Sequence, residues 1–432
     1  MVDMIFSQLR PAPKMRHLWW ALVAFLAPAG AAGADFEAGA AKVDITPPVG
    51  YPMWGYASRK DRPCDGIRDP LHARALVLKA GEAKIAIVAL DLGRPPTRES
   101  TIRIRESLKP GGFSELFLVA SHTHHGPVLE LETWPKPGKP YTRELEEKLV
   151  GVIRSADAAR KPAKYGVGST ELPLNRNRQS KRKDAPVDRE LLVLRVEDLS
   201  GKPIAHAVNF AAHPTMLPAE LMKFSADFPG AMAKHVEAQT GAPCLFLQGA
   251  AGDLSPNSPE GVKGPDAFGA RLGEAVVGLA QTIKIAGKGT TLDTRREEFA
   301  FKCVIDVKNP FVRIALDQAF FPELIGFFET EYAMGVRPTL SVAVLDNKVG
   351  FVGASGEFFS DHALSLKRRA RLPHLFFLGY CNDYHQYFPT IQAVSEGGYG
   401  TGLPVSVAEI GAGERMTDRA LIHLYQIRGL IP

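Results

Sequence analysis

Ser121-His122-Thr123-His124-His125-Gly126-Pro127 places three imidazoles within four residues, directly after the apolar run Leu116 to Ala120. In an extended chain alternate side chains share a face, so His122 and His124 can reach one cavity. Imidazole is the commonest protein ligand for zinc, and open α/β sheets keep their active sites at the carboxyl ends of strands, so the segment has the form of a metal centre. A polar exit from a strand has the same composition, and the histidines alone do not separate the two readings.

Four further apolar runs end in residues suited to chemistry. Ile204 to Phe210 leads into Ala211-Ala212-His213-Pro214-Thr215, and Cys244 to Leu247 leads into Gln248 and the segment Gly252-Asp253-Leu254-Ser255-Pro256-Asn257. A hairpin is expected from Ser341 to Leu345 and Lys348 to Val352, turning at Asp346-Asn347 and running into Gly356-Glu357. Finally, His374 to Gly379 leads into Asn382-Asp383-Tyr384-His385-Gln386-Tyr387. Strand ends in one sheet lie close together, so these five loops are expected to line one cleft.

The elements that must position these residues alternate along the chain. Helices are expected over Arg143 to Ile153, Phe228 to Gln239, Asp266 to Ala280 and Phe358 to Arg371, interleaved with the strands. That order predicts the α/β class: a single large domain over residues 35–432, with a mixed β-sheet flanked by helices and the active site at strand ends. The Pro- and Gly-rich stretch Trp134 to Pro140 reads as a surface loop near the histidines, and there is no internal repeat.

Composition agrees with a secreted globular enzyme. At 45% hydrophobic and 23% charged residues, the chain can bury a sizeable core and is far from a disordered sequence. Arg10, Lys14 and Arg16 precede the apolar run Leu18 to Pro28, and Ala32-Gly33-Ala34 supplies small residues for cleavage. This is the layout of a signal peptide over residues 1–34, with Asp35 near the mature N-terminus and a secreted or periplasmic destination; an uncleaved anchor is the alternative. No cysteine adjoins the cut, so a lipoprotein is not indicated. The formal charge of +5 falls once Arg10, Lys14 and Arg16 are removed against Asp3, leaving a nearly neutral chain with no call for nucleic acid. Lys181-Arg182-Lys183 reads as a solvated loop, with contact to anionic head groups as the alternative. Cys64, Cys244, Cys303 and Cys381 allow two disulfides, one or none, and Cys244 in its apolar strand behaves as a small hydrophobe.

The chain resembles the neutral ceramidase family, zinc-dependent non-lysosomal amidases that hydrolyse ceramide to sphingosine and a fatty acid. The resemblance runs through Ala41-Lys42-Val43-Asp44-Ile45-Thr46-Pro47-Pro48-Val49-Gly50, Gly66-Ile67-Arg68-Asp69-Pro70-Leu71, the histidine segment, Asn175-Arg176-Asn177-Arg178, His213-Pro214-Thr215, Gly252 to Asn257 and Asn382 to Tyr387. Relatives often carry an additional C-terminal β-sandwich domain, which is not expected here because the chain stops soon after the last of these motifs.

The resemblance implies one catalytic Zn²⁺ held by His122, His213, Glu357 and Tyr387, a mixed N/O set with room for water or substrate. It implies water as the nucleophile, with His124 transferring protons or bonding the oxyanion, and Arg178 and Tyr399 stabilising the tetrahedral intermediate. Ser255 also belongs to the implied active site. It invites a nucleophile reading, but water already fills that role, so a positioning role is favoured. Asp253 and Asn257 around Ser255-Pro256 also fit a simple Asx-type turn. His206, inside an apolar strand, reads as a satisfied core histidine. His125 stands where many relatives have a small residue and either narrows the cleft or faces solvent. By alternation His385 shares a face with Tyr387 and is an alternative ligand.

Between Asn309 and Met334, Phe311, Phe320, Phe321, Leu324, Ile325, Phe327 and Phe328 form an apolar concentration, which Arg313, Asp317, Glu323 and Glu329 exclude as a membrane span. It reads either as a pair of core-packed helices or as a greasy lip that receives an acyl chain and touches a membrane surface transiently. The expected activity is amide hydrolysis of a ceramide-like lipid. The alternatives are deacylation of other N-acyl lipids or N-acyl amines, and a catalytically silent metal- or lipid-binding relative.

Overall fold

Runs of alternating or fully apolar residues become most of the strands. A computed structural model of the chain describes residues 36–134, 141–306 and 308–432; the leader expected over residues 1–34 and nearly all of the loop Trp134 to Pro140 lie outside them. An eight-stranded mixed sheet has the order Cys244–Gln248, Pro203–Phe210, Glu190–Asp198, Lys161–Glu171, Phe36–Asp44, His72–Ala80, Ala83–Leu90 and Glu115–Ala120. The pairs at its two ends are parallel, and the pairs between them antiparallel. Asp346 and Asn347, both with φ near +50°, close the hairpin between Thr339–Leu345 and Val349–Ala354 as expected of a two-residue turn.

The five loops do not leave a single sheet: Thr339–Leu345, Val349–Ala354 and His374–Leu378 form a second, four-stranded sheet with Leu292–Glu298. The two sheets share a core in which Leu76, Leu78, Ile85, Ile87, Phe117, Leu192 and Leu245 meet Leu345, Phe351 and Phe376. Phe117 and Phe351 bring their rings to 6.4 Å across the interface.

Helices cover the outer faces. Arg98–Leu108 and Tyr141–Ala158 pack on one half of the large sheet, and Asp227–Thr240 with Gly264–Thr282 on the other. The pair Pro310–Ala319 and Pro322–Glu331, with Ser360–Arg369 and Ala412–Ile427, covers the small sheet. The helix expected from Phe358 starts at Ser360 because Glu357–Phe358 instead pairs as a short parallel strand with Tyr387–Phe388. All four cysteines are free, and no helix among the described residues is long and apolar enough to cross a membrane.

Buried amides lock the two sheets together at the ends that carry the motifs. Asn382 donates to Leu116 O at 2.7 Å and accepts from Leu118 N at 2.9 Å, taking the place of a neighbouring strand. Asn209 donates to Leu247 O at 2.8 Å in its own sheet and to Phe377 O at 3.0 Å in the other. Each such bond satisfies buried backbone that would otherwise carry the desolvation cost of an unpaired carbonyl, about 1–3 kcal/mol.

Candidate metal centre

His122 leaves the strand Glu115–Ala120 with φ +69°, a left-handed conformation that costs a residue with a Cβ roughly 1 kcal/mol or more. Its backbone is held there by His122 N donating to Leu92 O at 2.9 Å, and its ring by Nδ1 against Gly93 O at 2.8 Å. His213, past the end of Pro203–Phe210, is anchored in the same way, with Nδ1 2.8 Å from Ala251 O. A carbonyl oxygen only accepts, so both Nδ1 atoms carry the proton and both Nε2 atoms present lone pairs.

Those two lone pairs face one another. His122 Nε2 and His213 Nε2 are 2.9 Å apart, and Glu357 Oε2 lies 3.3 Å from each. Three electron-rich atoms at such separations, with no proton between the nitrogens, fit a cation in their midst. The backbone carbonyls behind each imidazole supply the outer contacts that fix ligand tautomer and ring orientation in metal sites. All three side chains are buried.

Glu357 is held by tyrosines. Tyr384 donates its hydroxyl to Oε1, and Tyr380 OH lies 3.5 Å from Oε2. Burial pushes the Glu357 carboxyl up, but the Tyr384 hydroxyl and the Arg178 guanidinium are among the groups that hold it below its usual pKa, as a carboxylate. Tyr387 is the register partner of Glu357 across the short parallel pair, which puts both side chains on one face. Its hydroxyl accepts from Arg178 Nη2 at 3.2 Å, and burial raises its pKa well above that of a free phenol.

Arg178 is fixed by its own backbone N–H to Asp253 O at 2.8 Å and by Nη2 to Gly252 O at 3.0 Å, and the same Nη2 is 3.2 Å from both ring nitrogens of His213. Gly252 has to be glycine at this point: a Cβ there would stand 2.7 Å from Glu357 O, in the space through which its N–H reaches Phe358 O. His124 joins the cluster, with a ring nitrogen within 4.8 Å of those of His122 and His213. Both its nitrogens are buried without a hydrogen-bond partner among the described residues, and burial above all, with the Arg178 guanidinium among the nearby charges, keeps it neutral, well below its usual pKa.

The cluster opens into a cavity of about 500 Å³ lined by Trp54, Tyr56, His124, Glu357, Tyr387 and Tyr399 on the polar side and by Phe320, Phe321, Leu324 and Phe328 on the other. Tyr399 is largely exposed at its mouth, its ring 5.6 Å from that of Tyr387. A second cavity of about 220 Å³, sharing Phe320, Phe328, Gln386 and Pro404 with the first, lies beyond.

The remaining expectations fare unevenly. Ser255 sits on Leu254–Pro256, paired with Asn175–Asn177, its hydroxyl buried without a partner; it is not among the described residues lining the cavity. The alternative Asx-type turn does not form, because Asp253 instead accepts from Ser360 and Asn177 while Asn257 donates to Pro173 O. His125 neither narrows the cleft nor faces solvent: it is buried and 2.7 Å from the Arg59 guanidinium. His385 does not share a face with Tyr387, because Asn382 and Gln386 adopt φ near +60° and break the alternation; it turns toward Asp383 and Glu331. His206 is a core histidine, although its Nδ1 has no partner among the described residues.

Two contributors were not legible beforehand. Gln248 donates to both Ser121 O and Ala212 O at 2.9 Å and accepts from Ala212 N at 3.2 Å, tying together the residues that precede His122 and His213. Trp54 packs edge-on to His122 and His124 at 5.1 and 5.6 Å and donates to Glu130. Gln248 is the last residue of its strand, a position that could have drawn notice; Trp54, far upstream in a loop, carried no signal.

Imidazoles and a carboxylate anchored from behind, at strand ends of two packed sheets beside an apolar cavity, define an α/β protein with a candidate catalytic metal centre. The chain belongs to the neutral/alkaline non-lysosomal ceramidase family, whose N-terminal family model matches residues 36–268, more than half of its length. Among solved structures it is similar to neutral ceramidase from Pseudomonas aeruginosa, with a TM-score of 0.74 and 20% identity over 93% of this chain and 75% of that one. It is also similar to a ceramidase complexed with C2, at a TM-score of 0.73 and 20% identity over 92% and 76% of the two chains. At such identity the likeness speaks for the fold. His122, Arg178, His213 and Ser255 fall inside the family match, whereas Glu357, Tyr387 and Tyr399 follow it and are tied to the first group by geometry.

Proposed function

We propose that this protein is a secreted or periplasmic zinc-dependent amidase that cleaves the N-acyl bond of ceramide-like sphingolipids, releasing a sphingoid base and a fatty acid. The observation that carries the reading is the meeting of His122 Nε2, His213 Nε2 and Glu357 Oε2, 2.9 to 3.3 Å apart, at the edge of a cavity with an aromatic wall. These three, with Tyr387 as the fourth ligand, would hold the ion. A bound Zn²⁺ there supplies a Lewis acid for the amide carbonyl and lowers the pKa of a water ligand to about 7.

The chain's own residues do the rest. Neutral His124, with both nitrogens free, accepts a proton from the attacking water and returns it to the departing amine. Arg178 contributes a fixed positive charge beside the oxygen that becomes negative, and Tyr399 a phenolic donor at the cavity mouth. Ser255, opposite Arg176 in its strand pair, positions the segment that carries Arg178. Phe320, Phe321, Leu324 and Phe328 receive the acyl chain, where each buried methylene contributes about 0.8 kcal/mol. On the outside of the helix Pro310–Ala319, Phe311 and Ile314 are 82% and 56% exposed, and Met334, in the turn after Pro322–Glu331, is 73% exposed, which suits transient contact with a membrane holding the substrate.

Purified protein, native and chelated, should be given dodecanoyl ceramide and a dodecanoyl amino acid. The expected result is faster turnover of the ceramide, lost on chelation and restored by zinc. Preference for the amino acid would make the protein a deacylase of soluble amines. Bound zinc without turnover across pH and detergent would make it a binding relative.

A further inference from the structure

Behind the loop 382–387 lies a second group of ligand-type side chains that the proposed reaction does not use. Glu331 ends the helix Pro322–Glu331, and Asp383 and His385 stand on the loop; one ligand atom from each lies within 4.8 Å of the others. His385 and Asp383 are almost completely buried. Glu331 Oε1, Asp383 Oδ2 and both His385 nitrogens have no hydrogen-bond partner among the described residues. His385 Nε2 comes to 3.1 Å from Asp383 Oδ2 but lacks hydrogen-bonding geometry with it.

Charge is unbalanced in the same place. The buried Arg94 guanidinium faces Asp383 Oδ1 and Glu130 Oε1, each at 3.2 Å, while the Arg98 guanidinium is engaged by Glu298. With His385 neutral, as a metal ligand must be, three carboxylates, Glu130, Glu331 and Asp383, stand against one guanidinium, and a dication would bring the group to neutrality. Unpaired buried charge is costly enough that such groups are normally paired or coordinate a metal.

We infer that Glu331, Asp383 and His385 form a second divalent-metal site, separate from the His122 cluster. One imidazole with two carboxylates suits Zn²⁺ or Mn²⁺ better than Ca²⁺ or Mg²⁺, which favour all-oxygen sets. The ion would brace two parts of the substrate site: the helix whose Leu324 and Phe328 line the cavity, and the loop whose Tyr384 holds Glu357.

The test is zinc stoichiometry on the full chain, measured by dialysis against Zn²⁺ followed by elemental analysis, and repeated with Mn²⁺. Wild type should bind two equivalents. His385→Gln and Glu331→Gln should each bind one, His122→Ala one, and His122→Ala with Glu331→Gln none. Glu331→Gln, at a helix end, keeps the test valid if His385→Gln does not fold. In the His122→Ala background zinc should raise the melting temperature, and adding Glu331→Gln should abolish that rise. One equivalent in wild type that His122→Ala removes, or two retained in both His385→Gln and Glu331→Gln, overturns the second site. Two equivalents retained in His122→Ala would instead count against the first.

Discussion

Tyr384 donates its hydroxyl to Glu357 Oε1, so the carboxylate arrives at the His122 and His213 nitrogens already oriented. Groups that orient metal ligands from behind typically contribute 10–100-fold in metal affinity or activity. Tyr384→Phe should therefore weaken zinc binding by about that factor while keeping its packing 5.5 Å from the Trp54 ring. Competition against a chromogenic chelator measures it; unchanged affinity would remove Tyr384 from the account.

Gln248 makes the parallel prediction for the histidines. Gln248→Leu leaves Ser121 O, Ala212 O and Ala212 N without their partner, at about 1–3 kcal/mol for each buried group. Urea denaturation should show a loss of roughly 3 kcal/mol or more, and zinc affinity should fall with it because the residues preceding both ligands shift. A loss below about 1 kcal/mol would mean that other bonds hold the two loops.

What the sequence disclosed and what it withheld follow physical lines. The loops that bring His122, His213 and Glu357 together were legible because each follows an apolar run, while the choice of these three side chains came from the family resemblance, and the Asp346-Asn347 turn was legible because its residues tolerate positive φ. The division into two sheets was hidden: alternation identifies a strand but not its neighbours, and Phe117 and Phe351 look the same whether they share a sheet or face across two. His385 was misread because alternation presumes extended backbone, which Asn382 and Gln386 interrupt. His125 was misread because its partner Arg59 lies 66 residues away in the chain, where no local pattern reaches.

His206 gives a pH signature apart from the metal centre. Burial, then Arg195, lowers its pKa to about 4 in the fold, against an ordinary 6.5 for histidine. The unfolded chain thus binds more protons between these values, so stability is fully present above pH 6.5 and is lost as pH falls toward 4. The loss amounts to about 3 kcal/mol at most, from 1.36 kcal/mol per unit. His206→Leu should flatten the melting temperature across that window; an unchanged slope would assign the acid sensitivity elsewhere.

The helix pair should separate substrate binding from membrane access. Leu324→Ala should lower kcat/KM about tenfold for dodecanoyl ceramide, mainly through KM, and far less for an acetyl analogue. Phe311→Asp, on the exposed face, should slow turnover of ceramide in vesicles but not in detergent micelles. Equal losses on both presentations would place Phe311 in the fold and not at a membrane.

In the proposed centre His122, His213 and Glu357 grip one ion. Crystals of the zinc-loaded protein, measured on both sides of the zinc absorption edge, test it directly. An anomalous peak is expected about 2.0–2.2 Å from His122 Nε2, His213 Nε2 and a Glu357 carboxylate oxygen. Fully zinc-loaded protein with no peak among those three side chains would contradict it.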